Sequence, residues 1–281
     1  MERRELGRTG VEVPIVGQGT WNLERADRRQ AIRALQRGLD AGMSHIDTAE
    51  MYGRGRVEEL VGEAIAGRRQ EVFLVSKVLP ENASRQGTLA ACERSLRYLG
   101  TDHLDIYLLH WPGSHPLQDT LAAFAELREA GKIRAFGVSN FDAEATARAV
   151  GIAGQGRIAC NQLLYHLGER AIEHAVLPYC EAQGIAVVAY SPFGAGDFPS
   201  PGNRGGRVLA AIAQAHGATP RQVALAFLTR RPALFAIPKT ASPDHAAENA
   251  AAGDLRLTAE EIGQIEAAFP LGRRRSGVAS I

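Results

Sequence analysis

The sequence lacks long apolar runs and any excess of one charge. No stretch of its 281 residues is long and apolar enough to cross a membrane as a helix. Arg3-Arg4 near the amino terminus is not followed by the apolar segment that an export signal needs. The 32 basic residues are matched by 31 acidic ones, which gives no reason to expect nucleic acid as a partner. We therefore expect a cytoplasmic protein that binds neither membranes nor nucleic acid.

Cysteine is scarce and unpaired. Cys92, Cys160 and Cys180 are odd in number, show no Cys-x-x-Cys spacing and lie within apolar stretches. Thiols in such stretches usually serve as small core residues. This pattern predicts a reducing compartment and no structural zinc.

Complete glycine-rich phosphate motifs are also absent. Gly17-Gln18-Gly19 and Gly53-Arg54-Gly55 both begin a dinucleotide fingerprint, but neither continues to the third glycine of G-x-G-x-x-G. No P-loop is present either. Any phosphate must be held in another way, for example by Lys239 and the helix predicted to begin at Pro243.

From about residue 15 the sequence alternates short apolar runs with longer amphipathic ones, which is typical of strand-helix units around a parallel sheet. The predicted strands are Ile15–Gly17, Ser44–Asp47, Val72–Ser76, Leu104–Leu109, Ile133–Val138, Ile158–Asn161, Ala186–Ala189 and Leu234–Ile237. The predicted helices are Arg28–Ala41, Val57–Ala66, Arg85–Leu99, Leu117–Ala130, Ala143–Val150, Ile172–Ala182, Arg221–Thr229 and Pro243–Ala252. Eight such units favour an α/β fold of the (β/α)8 TIM-barrel type, with a doubly wound sheet as the rival architecture.

Two segments fall outside the eight units. Glu5-Leu6 and Val11-Glu12-Val13 flank a glycine-containing turn, which predicts an N-terminal β-hairpin that plugs the lower end of the barrel. Ala259–Phe269 predicts an extra C-terminal helix. Because no linker divides the chain, we expect residues 1–281 to form one domain, with Phe193–Gly206 as a long mobile loop. The even charge balance and the lack of an exposed apolar stripe predict a monomer.

Polar residues follow nearly every predicted strand. In parallel barrels the active site is built at the carboxyl ends of the strands, where these residues are expected to meet. Each has an alternative structural role, since Asp47 can cap a turn, Lys77 can snorkel, His110 can be a core histidine and Tyr52 can simply pack. Their coincidence at one face favours function. The residues are Asp47, Tyr52, Lys77, His110, Asn140, Gln162, Tyr190 and Lys239.

Carbonyl reduction suits this set of side chains. A carbonyl that receives hydride develops negative charge on oxygen and must take up a proton. Tyr52 can supply that proton if the Lys77 ammonium lowers the phenol pKa from its ordinary value of about 10. Asp47 would keep Lys77 charged, and neutral His110 would donate a hydrogen bond to the substrate oxygen. This chemistry needs neither a metal nor a covalent intermediate.

Four longer motifs carry a family resemblance. They are His45-Ile46-Asp47-Thr48-Ala49-Glu50-Met51-Tyr52-Gly53, Leu108-Leu109-His110-Trp111-Pro112, Gly137-Val138-Ser139-Asn140-Phe141 and Ile237-Pro238-Lys239-Thr240. In this order they resemble the aldo-keto reductases, over nearly the whole chain, and within them the short bacterial aldehyde reductases that include methylglyoxal reductases. The resemblance implies an NADP-dependent oxidoreductase that binds NADPH across the barrel mouth and transfers hydride directly to a small carbonyl substrate.

The resemblance also implies roles for individual residues. Asp47, Tyr52, Lys77 and His110 match the catalytic group, while Trp21 and Trp111 join Tyr52 and His110 around the substrate. The implied cofactor-binding residues are Gly19, Thr20, Trp21, Ser139, Asn140, Gln162, Tyr190, Ser191, Pro192, Ile237, Lys239, Thr240, His245, Glu248 and Asn249. His245 replaces an arginine that is frequent in the family, so we expect a modest preference for NADPH and some tolerance of NADH.

Two further predictions concern the pocket and the alternatives. The segment after the last helix is short, which predicts an open pocket that accepts varied, partly apolar aldehydes. One alternative function is a Schiff-base aldolase that uses Lys77 or Lys239, although the carboxylate of Asp47 would keep a neighbouring lysine protonated. Another is a redox-sensing module that binds NADPH with little turnover.

Overall fold

The structure, a computed structural model that describes residues 1–281, is organised around an eight-stranded parallel sheet. A two-stranded hairpin precedes the sheet, and ten α-helices follow its strands. The strands are β1 Arg3–Glu5, β2 Glu12–Pro14, β3 Gln18–Gly19, β4 His45–Asp47, β5 Phe73–Val78, β6 Leu104–Leu109, β7 Ile133–Ser139, β8 Ile158–Leu164, β9 Ala186–Tyr190 and β10 Leu234–Ala236. The helices are α1 Arg28–Asp40, α2 Arg56–Ala64, α3 Arg85–Leu99, α4 Leu117–Glu129, α5 Ala143–Ala153, α6 Val176–Gln183, α7 Arg204–Ala215, α8 Pro220–Leu228, α9 Pro243–Ala251 and α10 Ala259–Ala268.

The sheet closes into a barrel. Strands β3 to β10 pair with their neighbours in chain order, and every pair is parallel. The first and last strands are joined by parallel bridges between Val16 and Ala236 and between Gly19 and Lys239. A doubly wound sheet would leave its two edge strands unpaired, so the predicted (β/α)8 barrel is confirmed and its rival is wrong.

The first barrel strand lies later in the chain than predicted. The apolar run Ile15–Gly17 favoured a strand there, but β3 is formed by Gln18 and Gly19. Gln18 is buried and donates hydrogen bonds to the carbonyls of Leu35, at 3.2 Å, and Met43, at 2.9 Å. Gln18 therefore packs between the barrel and α1, and a buried glutamine is compatible with that layer because its amide hydrogens are bonded, which hydropathy alone cannot reveal.

Helix α7 was missed by the sequence analysis, which predicted irregular chain over Phe193–Gly206 and no helix between Gly206 and Arg221. Asn203 caps α7 by accepting a hydrogen bond from the Gly206 N–H at 2.7 Å. Gly205 and Gly206, which suggested a loop, instead allow other segments to pack closely against α7. A Cβ on Gly205 would lie 2.4 Å from the Phe269 ring, and one on Gly206 would lie 1.9 Å from the Ser200 carbonyl oxygen.

Helix α6 begins four residues later than predicted, at Val176 rather than Ile172. Pro178 explains the difference, because its ring would clash with the carbonyl of residue 174 in a continuous helix. Ala171–His174 forms a separate 3-10 turn. The ends of the other predicted barrel strands and helices agree with the structure within three residues.

The hairpin and the core complete the architecture. β1 pairs antiparallel with β2, and Gly7 in its turn approaches Ala159 near the amino end of β8 so closely that a Cβ would lie 2.1 Å from that carbonyl oxygen. One cluster of 72 buried residues forms the hydrophobic core. The three cysteines are buried and unbonded, as predicted for small core residues. None of the helices combines the length and apolar character needed to span a membrane.

Candidate active site

A cavity of about 420 Å³ opens at the carboxyl ends of the barrel strands. Its size is typical of small-molecule sites, and its position is the one that barrel enzymes use. Most of the predicted site residues line it. They are Gly19, Thr20, Trp21, Asp47, Tyr52, His110, Trp111, Ser139, Asn140, Gln162, Tyr190, Ser191, Ile237 and Lys239.

Asp47 and Lys77 form a buried ion pair beneath the cavity. Asp47 ends β4 and Lys77 lies in the adjacent strand β5, so their side chains meet inside the barrel. Lys77 Nζ donates to Asp47 Oδ1 at 2.5 Å and to the Thr48 carbonyl at 2.7 Å. Burial on its own lowers the pKa of Lys77, but the Asp47 carboxylate and Tyr52 outweigh it and raise that pKa. Lys77 is therefore held as an ammonium ion.

Tyr52 places its hydroxyl above that ammonium. The chain turns sharply after β4, and Gly53 and Arg54 adopt left-handed backbone conformations with φ of 58° and 57°. The Tyr52 hydroxyl oxygen lies 3.4 Å from Lys77 Nζ. The prediction that Lys77 lowers the Tyr52 pKa below its ordinary value is wrong, because burial raises the pKa of the phenol and Lys77 offsets only part of that rise. Tyr52 thus keeps its proton until another group takes it.

His110 lies beside Tyr52 at the end of β6. Its backbone N–H donates to the Val78 carbonyl at 3.0 Å, and its ring centroid lies 5.8 Å from that of Tyr52 and 4.7 Å from that of Trp111. Burial and the nearby Lys77 charge lower the pKa of His110 well below its ordinary value. The imidazole is therefore neutral at pH 7, as the sequence analysis expected.

Polar side chains on β7, β8 and β9 converge on the opposite wall. Asn140 Nδ2 donates to the His110 carbonyl at 3.0 Å, and its Oδ1 accepts the Tyr190 hydroxyl at 2.9 Å. Gln162 Nε2 donates to Asp47 Oδ2 at 2.7 Å, which links this wall to the ion pair. Asn140 and Ser191 both have left-handed backbones, with φ of 61° and 49°. Such conformations in non-glycine residues concentrate at functional sites.

The predicted residues around α9 lie outside the cavity. Thr240, His245, Glu248 and Asn249 do not line it, and Pro192 is buried beside it. Glu248 accepts a hydrogen bond from the Thr219 hydroxyl at 2.6 Å, while His245 is exposed in the first turn of α9. Lys239 is the member of this group that reaches the cavity. It is exposed on the rim and has no carboxylate partner.

The chain beyond α10 also lines the cavity, and sequence reasoning missed it. The tail contributes Val278, Ser280 and Ile281 to the cavity wall, which Met51 and Pro112 complete. The sequence analysis expected an open pocket and did not anticipate that the short tail reaches the barrel mouth. The signal available in the sequence was the apolar Val278 and Ile281 after a basic, glycine-containing stretch.

Polar contacts fix the course of this tail across the barrel. Arg170 Nη1 donates to the Phe269 carbonyl at 2.7 Å, and His174 Nε2 lies 3.2 Å from the Gly272 carbonyl oxygen. Arg275 forms an ion pair with Glu169 at 3.2 Å. These contacts direct the following residues over the cavity.

Comparison with known proteins gives a consistent picture. The family model described as the aldo/keto reductase family matches residues 15–269. The chain is 42% identical over 270 residues to methylglyoxal reductase YeaE of Escherichia coli, with 95% of each chain covered. It is 34% identical over 261 residues to glyoxal reductase of Bacillus subtilis, covering 92% of this chain and 90% of that one.

A solved structure is also similar to this chain in both fold and sequence. The aldo-keto reductase of Klebsiella pneumoniae, crystallised in complex with NADPH, superimposes with a TM-score of 0.92 at 42% identity and full coverage of both chains. The family model and these long alignments agree with the observed barrel and its polar mouth. The chain therefore belongs to the aldo/keto reductase family.

Proposed function

We propose that this protein reduces aldehydes and ketones to alcohols with NADPH, by direct hydride transfer. The observation that carries the proposal is the arrangement of Tyr52 at the cavity wall, with a buried Lys77–Asp47 ion pair below its hydroxyl and neutral His110 beside it. An acid, a cation that stabilises its conjugate base and a neutral hydrogen-bond donor are the groups that carbonyl reduction requires.

The residues would act as follows. When NADPH is bound, it supplies the hydride that reaches the carbonyl carbon. Tyr52 donates its proton to the carbonyl oxygen as negative charge develops there. The Lys77 ammonium, 3.4 Å from the phenol oxygen, stabilises the resulting phenolate, and Asp47 keeps Lys77 charged and in place. His110 donates a ring N–H to the same carbonyl oxygen.

The chain offers suitable groups for the cofactor. Asn140 and Gln162 carry amides that match a carboxamide, and the half-buried Tyr190 ring faces the cavity and can stack on a planar ring. Lys239 lies on the rim of the cavity and has no carboxylate partner. Its ammonium group can therefore bind a phosphate. We assign the remaining cofactor contacts to Gly19, Thr20, Trp21, Ser139, Ser191, Pro192, Ile237, Thr240, His245, Glu248 and Asn249.

Small carbonyl compounds fit the rest of the cavity. Trp21, Met51, Trp111 and Val278 provide an apolar wall next to Tyr52. The relatives named for methylglyoxal and glyoxal reduction support small 2-oxoaldehydes as one substrate class. We further propose that residues 1–281 form one domain, on the basis of their single core cluster, and that the protein is a cytoplasmic monomer.

Neither alternative function is favoured. A Schiff-base aldolase needs a neutral lysine, whereas Lys77 is buried against Asp47 and its pKa is raised. A sensor without turnover has no use for the assembled acid and cation. Borohydride should therefore trap no covalent adduct between the protein and a carbonyl substrate.

The decisive experiment follows NADPH absorbance after small aldehydes are added, with methylglyoxal and aromatic aldehydes in the panel, and repeats the series with NADH. We expect NADPH oxidation and a higher Michaelis constant for NADH. Tight NADPH binding without oxidation by any compound would overturn the reductase in favour of the sensor.

A further inference from the structure

A second charged cavity lies at the opposite end of the barrel from the active site. It has a volume of about 370 Å³ and adjoins the starts of β5, β6, β7 and β8. Arg8, Arg128, Arg134 and Arg157 line it, and Asp105 is its one acidic residue. Four positive charges and one negative charge give the lining a net charge of +3, whereas the whole chain carries +1. The lining of this cavity is thus far more positive than the chain as a whole.

Asp105 is already fully engaged. Its Oδ1 accepts from Arg134 Nη1 at 2.8 Å, and its Oδ2 accepts from Arg69 Nη2 at 2.9 Å and from the Leu74 N–H at 2.8 Å. The other three arginines of the cavity have no hydrogen-bond acceptor and no carboxylate within 4.0 Å. Guanidinium groups that line one cavity without a counter-charge favour binding of a carboxylate or phosphate.

Arg8 is packed in place although it is exposed. It follows β1 in the hairpin turn, and its side chain passes over two glycines. A Cβ on Gly184 would lie 2.6 Å from Arg8 Nε, and one on Gly156 would lie 3.4 Å from Arg8 Cδ. The glycines therefore leave room for the arginine side chain to lie along the edge of the cavity.

An apolar groove continues from this cavity between α4 and α5. It has a volume of about 630 Å³, and Arg128 and Arg157 line both spaces. Leu121, Phe136 and Ile152 contribute to its apolar surface, and Ile152 is one of only four large apolar side chains that are exposed. Glu129 also lines the groove, but it forms no ion pair with the arginines.

We infer that these two spaces form one binding site for a small amphipathic anion, a carboxylate or phosphate headgroup that carries an apolar chain. The headgroup lies among Arg8, Arg128 and Arg157, and the chain occupies the groove between α4 and α5. A free inorganic anion satisfies the guanidinium groups but leaves the apolar groove uncovered. The shared arginines make a combined ligand the better match in both charge and polarity.

Isothermal titration with decanoate, below the concentration at which it forms micelles, tests this site. Decanoate and decyl phosphate should both bind, with an affinity that NADPH does not change, whereas inorganic phosphate and 1-decanol should bind at least tenfold more weakly. Arg8→Gln and Arg157→Gln should each weaken decanoate binding at least tenfold, equivalent to ~1.4 kcal/mol. Ile152→Gln should weaken decanoate binding and leave the weak response to phosphate unchanged.

Arg148→Gln is the matched control, because Arg148 is an exposed arginine on α5 that lines neither space. It should bind decanoate as the unmodified protein does. Unchanged affinity in both Arg8→Gln and Arg157→Gln, or equal losses in all three arginine variants, would overturn the site. Equal binding of decanoate and inorganic phosphate would overturn the role of the groove, and equal binding of 1-decanol would overturn the role of the arginines. Far-UV circular dichroism of each variant verifies that the barrel is intact.

Discussion

Removing both members of the Lys77–Asp47 pair should destabilise the protein far less than the sum of the losses from removing each one alone. The two side chains are 0% and 2% exposed and their charged atoms lie 2.5 Å apart. Lys77→Met leaves the Asp47 carboxylate buried without its cation, and Asp47→Leu leaves the ammonium without its anion. Each such loss costs about 3–5 kcal/mol of unfolding free energy, so the two together would sum to about 6–10 kcal/mol if they were independent.

The double variant should lose less unfolding free energy than that sum because no buried charge remains. Three polar groups then lose a partner: the Thr48 carbonyl and the Gln162 amide, which are buried, and the Tyr52 hydroxyl, which lines the cavity. Only the two buried groups are counted as unsatisfied. At about 1–3 kcal/mol for each unsatisfied group, the double variant should lose about 2–6 kcal/mol. The expected coupling energy between the two positions is thus about 4 kcal/mol.

Urea unfolding at pH 7, monitored by circular dichroism, gives the unfolding free energy of the unmodified protein, the two single variants and the double variant. The exposed pair Arg85–Glu126, at 2.9 Å, provides the control cycle, and its coupling should stay below about 1 kcal/mol. If the losses of Lys77→Met and Asp47→Leu simply add in the double variant, to within about 0.5 kcal/mol, the reasoning from buried charge is refuted.

Other positions yield further predictions. Tyr52→Phe should lower kcat by about 10²- to 10⁴-fold while NADPH affinity, measured by fluorescence titration, stays unchanged; a fully active variant would remove Tyr52 as the proton donor. Burial raises the pKa of Glu58 to about 7, so its ionisation destabilises the fold as pH rises from 4.5 through 7, and Glu58→Gln should avoid that loss. The Tm advantage of this variant should therefore appear at pH 8 and be absent at pH 4, and an advantage independent of pH would contradict the assignment. Lys239→Met should raise the KM for NADPH about tenfold or more without changing that for NADH, and parallel changes in both would show that Lys239 contacts no 2′-phosphate. Val278→Ser should reduce kcat/KM for aromatic aldehydes more than for methylglyoxal, and equal reductions would place Val278 away from the substrate.

The sequence predicted the parts of this protein that depend on local order along the chain. Apolar runs alternating with amphipathic stretches predict the barrel, because buried parallel strands and helices with one apolar face differ in their hydrophobic pattern. Because parallel strands bring their carboxyl ends to one face, Asp47, Lys77 and His110 were expected to lie together before any distance was known. The errors occurred where packing overrides local pattern. Gln18 is accommodated in a buried strand because α1 and the loop after it satisfy its amide. Gly205 lies within α7 because a side chain there would clash with the Phe269 ring.

Tertiary structure alone decided the electrostatics and the shape of the cavity. The pKa of Tyr52 depends on the balance between burial and a cation 3.4 Å away, and neither quantity can be read from sequence spacing. The tail reaches the cavity because it contacts Arg170, His174 and Glu169, which lie more than a hundred residues before its last residue. Residue types and their order determine which chemistry this chain is equipped for. Solvent exclusion and contacts between distant segments determine protonation and access, because both depend on what the folded chain places around each group.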